Sequence, residues 1–191
     1  MARQEQEEHT KRWCALPEPY PKPMVVQPNL YYAQLLLEDY AGSLSEMTAI
    51  NQYSYHYLMF VGEYEEIAHL EACIAIIEMY HLELLGETIK LLGVEPKYRT
   101  ITGNCQTFWD ASHVFYGTGL YDRLAADIAA EKLAIKQYRT HQGLISDKYI
   151  NILLERIIKD EEHHLKLFLH AAARFCPDLF RNIDEEKPGN A

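Results

Sequence analysis

The chain has 191 residues, of which 48% are hydrophobic and 24% charged, so its composition suits one globular domain with a sizeable core. Its 28 acidic residues outnumber 18 basic ones and give a formal net charge of -10, which argues against a nucleic-acid partner because that requires a basic patch. The N-terminal segment MARQEQEEHTKRWC has no apolar core and no membrane-length apolar run follows, so we expect neither a secretory signal nor a membrane partner.

The first 28 residues are predicted to form an extended, proline-rich arm. The stretch from Leu16 to Pro28 contains five prolines and cannot be helical. Two interpretations stay open, a disordered leader and an arm laid across a partner subunit. The second is favoured by five apolar side chains that prefer burial: Trp13, Tyr20, Met24, Val25 and Val26.

The next segment is predicted to form a helical hairpin. Asn29 is a suitable N-cap for predicted helix A, which runs from about 30 to 61 and ends at Gly62. Predicted helix B follows from about 63 to 92 and ends at Gly93. Because the connection is so short, we expect the two helices to be antiparallel.

A long crossover separates this hairpin from a second one. Residues 94–118 show weak periodicity and are predicted to cross the bundle without a long helix. Predicted helix C covers about 119–142, and predicted helix D runs from a cap at Ser146 to about 175. The tail, 177–191, is polar. This connectivity resembles that of an all-α, ferritin-like antiparallel four-helix bundle, here over residues 29–176.

Two sequence motifs occur once in each hairpin. The pattern E-x-x-A-I-x-Q-Y is found at 46–53 and again at 131–138, and E-x-x-H-L-x-L is found at 78–84 and at 161–167. These repeats predict one helical hairpin used twice.

The helical period selects the chemically important residues of these motifs. An acidic residue belongs on the wet face of a helix unless the residues three, four and seven positions away are apolar. Glu162 and His163 have charged neighbours at these distances and are predicted to lie on the surface. Six residues lie instead on apolar faces: Glu46, Glu78, His81, Glu131, Glu161 and His164.

Four buried, ionised carboxylates require positive charge nearby. Left unpaired, each would cost several kcal/mol, against a total domain stability of about 5–15 kcal/mol. Two divalent cations would balance the four charges, and carboxylate-rich ligation with two imidazoles and no thiolate suits iron, or manganese, better than copper or structural zinc. A metal-free bundle and a site for one ion remain the alternatives.

The segments that carry these residues resemble a known family. LSEMTAINQY is similar to the first helix of bacterioferritins, and EMYH and DEEHHLKLF are similar to their second and fourth helices, a plan shared with rubrerythrins. The resemblance covers about residues 30–175. It implies the following roles: Glu46 and Glu131 as terminal ligands, Glu78 and Glu161 as bridging ligands, His81 and His164 as ligands of one metal each, and Tyr53 as a one-electron donor.

The chain also departs from this family. We expect no fifth helix after helix D and no rubredoxin tail, and we therefore expect a homodimer, the simplest symmetric oligomer, rather than a large cage. Met79 occupies the position of the bacterioferritin haem ligand, but we expect it to pack between helices without haem.

Several other residues are weaker candidates. Core packing explains Tyr53 and Tyr138 as well as a redox role does, and Asp127 is a candidate support for a ligand. The remaining histidines have no matching partner in the repeat and are expected in the core or in solvent: His56, His69, His113, His141 and His170.

The cysteines are expected to be structural bystanders. Cys14, Cys73, Cys105 and Cys176 form no C-x-x-C pair, which excludes a rubredoxin-type iron site and a zinc ribbon. They are typical of reduced intracellular thiols, so the sequence predicts a cytoplasmic protein.

The predicted function is that of a di-iron oxidoreductase. A pair of Fe(II) ions can pass two electrons to O2 or H2O2, which suits iron handling or peroxide removal with an electron donor still unknown. A manganese catalase-like enzyme is the first alternative, although such enzymes are expected to resemble the chain less. A non-catalytic storage or metal-stabilised bundle is the second.

Overall fold

The computed structural model describes residues 13–102 and 105–185 and places the helices where the two hairpins predict them. The long helices of the bundle are α1 (Leu30–Ala41), α2 (Glu46–Phe60), α3 (Glu65–Leu91), α4 (Leu120–Leu144) and α5 (Lys148–Phe175), followed by the short α6 (Pro177–Glu185). The strands are β1 (Arg99–Thr102) and β2 (Cys105–Phe108). Helices α1 and α2 together occupy the place of predicted helix A.

The prediction of one continuous helix A is wrong at residues 42–45. The backbone N–H of Gly42 donates to the carbonyl of Glu38 and closes α1. Ser45 then caps α2, because its hydroxyl accepts from the N–H of Thr48 at 3.3 Å and donates to the carbonyl of Gly42 at 2.8 Å. Asn29 caps α1 as predicted, accepting from the N–H of Tyr32 at 3.1 Å.

The crossover contains more structure than its weak periodicity predicts. Strands β1 and β2 form an antiparallel hairpin, and a single 3₁₀ turn follows at Ala111–His113. The indole N–H of Trp109 donates to Thr48 at 2.9 Å, and the N–H of Phe115 donates to the side chain of Gln52 at 3.1 Å. These bonds fix the crossover against α2.

The second hairpin differs from prediction only at its ends. Helix α4 continues through Gly143, and Asp147 rather than Ser146 caps α5 by accepting from the N–H of Tyr149 at 2.9 Å. Pro177 does not begin a polar tail but starts α6, because proline fits the first turn of a helix, so the prediction that no further helix follows helix D is wrong. Residues 186–191 lie outside the described residues.

The arm lies along α5 of the same chain. His163 donates to the carbonyl of Trp13 at 3.1 Å, and the N–H of Val26 donates to Asp147 at 2.6 Å, so the arm runs antiparallel to the helix. Tyr20 is buried, whereas Trp13 and Met24 are exposed. These contacts do not fit a disordered leader over residues 13–28, whereas an arm that also meets a partner subunit stays a prediction, and residues 1–12 lie outside the described part of the chain.

A disulfide fastens the arm to the bundle. Cys14 is bonded to Cys73 of α3, whereas Cys105 and Cys176 are free. The prediction that all four cysteines are reduced thiols is therefore wrong, and the cytoplasmic location inferred from it stays a prediction without that support. Within residues 13–102 and 105–185, no helix is both long and apolar enough to cross a membrane.

Two clusters of buried apolar side chains enclose a polar layer. On α3, for example, Ile74 and Ile77 belong to one cluster and Leu84 and Leu85 to the other. Glu78 lies between them. On α4 and α5 as well, an acidic residue of a motif lies between the two clusters, so the acidic residues of the two motifs share one level of the bundle.

Candidate metal centre

The structure brings the six selected residues together. They form two overlapping groups, in each of which the ligand atoms lie within 4.8 Å of one another: Glu46, Glu78, His81 and Glu161 in the first, and Glu78, Glu131, Glu161 and His164 in the second. None is more than 3% exposed. Glu78 and Glu161 belong to both groups, which is the arrangement expected of carboxylates between two ions.

The two imidazoles face the two shared carboxylates symmetrically. Nδ1 of His81 lies 3.0 Å from Glu78 and 3.1 Å from Glu161, and Nδ1 of His164 lies 3.0 Å and 3.2 Å from the same residues. One oxygen of each carboxylate, Oε1, is nevertheless buried without a hydrogen bond. Oε2 of each carboxylate does bond to the histidine of its own motif, so Oε1 is the oxygen that remains without a hydrogen bond. Two such oxygens beside imidazole nitrogens fit a shared cation, and the donor set suits a pair of metal ions.

The outer nitrogen of His81 fixes the orientation of its ring. Nε2 lies 3.2 Å from Asp160, and because a carboxylate accepts, this nitrogen donates. In the neutral ring Nδ1 then carries the lone pair that faces Glu78 and Glu161, as a metal ligand requires. A carboxylate, a histidine and a metal in this order are a common arrangement in metal sites.

Asp160 is itself held by several groups that sequence reasoning missed. Arg156 approaches its carboxylate to 2.7 Å, the N–H of Leu16 donates to it at 2.9 Å, and the hydroxyl of Tyr20 donates to it as well. The Tyr20 ring also lies 4.1 Å from the guanidinium of Arg156. The arm thus contributes directly to the surroundings of His81.

The two repeated tyrosines each bind the acidic residue of the other hairpin. The hydroxyl of Tyr53 donates to Glu131 at 2.6 Å, and that of Tyr138 donates to Glu46. Burial and the neighbouring carboxylates raise the pKa of both hydroxyls well above the ordinary value. Both tyrosines therefore keep their protons at neutral pH.

The pKa shifts within the cluster show that it requires positive charge. The pKa values of Glu46 and Glu131 are both raised, mainly by burial and then by the adjacent carboxylates. Against the effect of burial, the surrounding acidic groups raise the pKa of both imidazoles. Although burial acts in the opposite direction, His164 and His81 hold the pKa of Glu78 well below its ordinary value. Without added cations, protons supply the positive charge.

Two of the remaining histidines were wrongly predicted to have no matching partner in the repeat. His56 and His141 each lie ten residues after the first glutamate of their hairpin, so they do match in the repeat. Nδ1 of His56 lies 2.9 Å from Asp127, and Nδ1 of His141 lies 2.8 Å from Asp39. Asp127 thus bonds to a histidine outside the six-residue cluster.

The other weak candidates lie away from the cluster or at its entrance. His69 and His170 are exposed, and His113 lines a cavity described below. Met79 is 47% exposed, so the expectation that it packs between helices is wrong for this chain. The role of Met79 toward haem stays a prediction.

A cavity of about 240 Å³ reaches the cluster between α2 and α4. Its wall includes all four selected glutamates, together with Tyr53 and Tyr138. Small side chains on α4, at Ala126, Ala129 and Ala130, line the same space. The cavity therefore gives a small molecule access to the acidic side of the centre.

Comparison with known proteins shows the family. Residues 44–174 match the model of the ferritin-like domain family, Ferritin, so the chain belongs to the ferritin-like family. This confirms the all-α, ferritin-like fold predicted from the two hairpins.

Individual relatives divide between two kinds of protein. The bacterioferritin of Mycobacterium leprae is 32% identical over 127 residues, which cover 63% of this chain and 72% of that protein. The bacterioferritin of Desulfovibrio desulfuricans, which has a diiron site, is 33% identical over 128 residues, covering 64% of this chain and 65% of that protein. KatB, a manganese catalase from Anabaena, is similar in structure with a TM-score of 0.74 at 28% identity, over 82% of this chain and 78% of KatB.

Proposed function

We propose that the protein is a dinuclear iron oxidoreductase that oxidises Fe(II) with O2 or H2O2. The observation that carries this proposal is the convergence of four buried glutamates and two histidines in two overlapping groups of four residues, in each of which the ligand atoms lie within 4.8 Å of one another, with carboxylate oxygens on Glu78 and Glu161 that accept no hydrogen bond. The similarity to bacterioferritins supports iron as the metal.

The proposed roles follow from the positions of the six side chains. Glu78 and Glu161 would bridge two ions, because each belongs to both groups. Glu46 and His81 would complete one position, and Glu131 with His164 would complete the other, because each pair belongs to only one of the two groups. When bound, two Fe(II) ions would supply two electrons to one oxidant molecule.

The surrounding residues would control access and protons. The cavity between α2 and α4 would admit the oxidant to the glutamate side of the centre. Tyr53 and Tyr138 hold their protons against Glu131 and Glu46, which fixes the orientation of both carboxylates. We assign the one-electron donor role to Tyr53.

Rapid mixing of the di-Fe(II) protein with O2, and separately with H2O2, tests the proposal. We expect a diferric absorption band to form much faster than free Fe(II) oxidises in the same buffer. Glu46→Ala and Glu131→Ala should each lose bound iron, and unchanged iron content in both variants would contradict the ligand assignment. Glu83→Gln, an exposed position on α3, is the matched control.

The role of Tyr53 has its own test. Tyr53→Phe should slow iron oxidation and remove any tyrosyl radical seen by electron paramagnetic resonance. Tyr138→Phe, which loses the equivalent hydrogen bond to Glu46, is the control. If Tyr53→Phe and Tyr138→Phe both oxidise iron at the wild-type rate and neither forms a radical, Tyr53 has no redox role.

A manganese catalase-like activity is the second candidate. It is favoured by the TM-score of 0.74 with KatB, compared with 0.67 for the Desulfovibrio desulfuricans bacterioferritin. The expectation that manganese catalases resemble the chain less is thus not supported at the level of structure. Elemental analysis of the protein as isolated, followed by O2 evolution from H2O2 without an electron donor, separates the two reactions.

The assembly and partners complete the proposal. We propose a homodimer that receives electrons from a donor of unknown identity, with O2 or H2O2 as the small-molecule partner. Light scattering tests the mass. A large assembly that takes up iron without turnover would favour the storage alternative.

A further inference from the structure

A second buried polar cluster lies next to the six residues of the dinuclear centre. It consists of His56 from α2, Glu71 from α3 and Asp127 from α4, all fully buried, with ligand atoms within 4.8 Å of one another. Glu71 lies seven residues before Glu78, and Asp127 lies four residues before Glu131. These spacings place the cluster in the adjacent layer of the bundle, and it shares no residue with the centre.

The hydrogen bonds around His56 determine which of its nitrogens is available. Nε2 lies 2.9 Å from the carbonyl oxygen of Phe115, which can only accept, so Nε2 carries a proton. In the neutral ring Nδ1 then has a lone pair, and it points at the carboxylate of Asp127 from 2.9 Å. Gln52 donates to the same carboxylate at 2.9 Å.

Glu71 is the unexplained member of the cluster. Both of its carboxylate oxygens are buried, and neither accepts a hydrogen bond from any group in the described residues. Burial, the negative charge of Asp127 and the close approach of the two carboxyl groups raise the pKa of Glu71 well above its ordinary value, so a proton shared with Asp127 is the alternative to a cation. Protonation of His56 would satisfy Asp127 but would leave Glu71 without a positive partner.

The duplicated hairpin contains an internal comparison for this cluster. His141 lies 2.8 Å from Asp39, and Gln137 donates to Asp39 at 2.9 Å, which repeats the His56, Asp127 and Gln52 arrangement. In this second copy the position seven residues before the E-x-x-H glutamate is Leu154, a buried apolar residue, instead of an acid. One imidazole and one carboxylate therefore suffice for the packing, and Glu71 adds a negative charge that the fold does not require.

We propose that His56, Glu71 and Asp127 bind a third divalent cation, through Nδ1 of the imidazole and one oxygen of each carboxylate. Two carboxylates balance a dication, and this mixed nitrogen and oxygen set suits Fe2+, Mn2+ or Zn2+. Gln52 lines the cavity and bonds to Asp127, so the cluster lies one side chain from the space that reaches the dinuclear centre. The inference does not depend on the activity proposed above.

Zinc counting under equilibrium conditions tests the third site. Metal-free wild-type protein and the Glu71→Gln and Glu83→Gln variants are dialysed against Zn2+ and analysed for zinc per chain. We expect three zinc ions in wild type and in the exposed Glu83→Gln control, and two in Glu71→Gln. Equal zinc content in wild type and Glu71→Gln would overturn the third site.

This count separates the two proposals. Failure of the dinuclear site alone would still leave a difference of one zinc between wild type and Glu71→Gln. Failure of the third site alone would leave two zinc ions in both proteins.

Crystals of wild-type protein grown with Zn2+ give a test that does not depend on a variant. An anomalous peak within ligand distance of His56, Glu71 and Asp127 supports the proposal. The absence of this peak, with the Glu71 carboxyl group hydrogen-bonded to Asp127, overturns it, because a shared proton would then neutralise the cluster.

Discussion

The two halves of the candidate metal centre come from two copies of one hairpin, but their histidines are held differently. Nε2 of His81 donates to Asp160 at 3.2 Å. Nε2 of His164 is buried and has no hydrogen-bond partner among the described residues. The residue that corresponds to Asp160 in the first hairpin is Ile77, directly before Glu78, so the second imidazole lacks a carboxylate of this kind.

The duplicated motif therefore specifies the candidate ligands, whereas the residues around them, such as Asp160 and Ile77, have diverged. A carboxylate on the outer nitrogen fixes the imidazole tautomer and increases its basicity as a ligand. We therefore expect the half that contains His81 to bind its metal ion more tightly than the half that contains His164.

In the metal-free protein, both halves of the cluster should make the folded state less stable as pH rises. The folded state raises the pKa of Glu46, Glu131, His81 and His164 above their ordinary values of 4.5 and 6.5. Between about pH 5 and 8 it therefore binds more protons than the unfolded chain, and its free energy of unfolding should fall as pH rises, by about 1.4 kcal/mol per pH unit for each extra proton.

Urea unfolding of the chelator-treated protein at several pH values measures this slope. Glu78, whose pKa is lowered, acts in the opposite direction only below about pH 4.5. Protein loaded with metal should show a smaller slope, because the cations replace the protons. A metal-free protein that becomes more stable from pH 5 to 8 would contradict the prediction.

Asp160→Ala should remove the asymmetry between the halves. The change leaves Arg156 buried without its partner, which should lower the free energy of unfolding by about 3–5 kcal/mol. It also frees Nε2 of His81, so the tighter of two metal-binding steps should weaken about 10–100-fold. Urea unfolding and competition with a chelator measure the two effects.

Glu162→Gln is the matched control for Asp160→Ala. Glu162 is partly exposed and pairs with Arg139 on the surface, so its loss should change stability by no more than about 1 kcal/mol. Equal weakening of both metal-binding steps in Asp160→Ala would mean that the two halves are not distinguished by this carboxylate.

Loss of the disulfide should destabilise the protein through the arm. The bond joins Cys14 to Cys73 across 59 residues, and a loop of that length is worth about 4 kcal/mol in the chain-entropy account. The Cys14→Ser, Cys73→Ser double variant should therefore unfold at lower urea concentration. Cys105→Ser, at a free and exposed position, should match wild type, and coincident curves for all three proteins would contradict the prediction.

Tyr20→Phe should have the smallest effect of the series. It removes only the hydroxyl that donates to Asp160 and should cost about 1 kcal/mol of stability. Because this hydroxyl also lies 3.4 Å from His81, the change in metal affinity should be confined to one binding step. Isothermal titration measures it, with Tyr31→Phe on the exposed side of α1 as the control.

The convergence of the six candidate ligands could be predicted because it depends on local periodicity. The residues three, four and seven positions after each selected glutamate are apolar, tyrosine or a candidate histidine ligand, whereas Lys166 follows Glu162 at four positions. Short connections then bring the four faces together. The argument does not extend to Asp39. Asp127 lies four residues before Glu131, but its counterpart Asp39 lies seven residues before Glu46, because the helix is interrupted at 42–45.

Other features were missed for different physical reasons. Glu71 has Ile67, Ala68, Ile74 and Ala75 around it and passes the same periodicity test, but it lies outside the repeated motifs. No local pattern signals the path of the arm, because its bonds to α5 join residues more than 120 positions apart. The contact of Tyr20 with Asp160 and the pairing of Cys14 with Cys73 depend on that path.

The disulfide between Cys14 and Cys73 also determines how many free thiols a purified sample contains. Denatured protein with this bond closed exposes two reactive thiols, at Cys105 and Cys176, whereas fully reduced protein exposes four. Cys73 lies five residues before Glu78 on α3, so preparations that differ in thiol count also differ on the helix that carries Glu78. Metal contents and oxidation rates from different expression hosts become comparable only once their thiol counts agree.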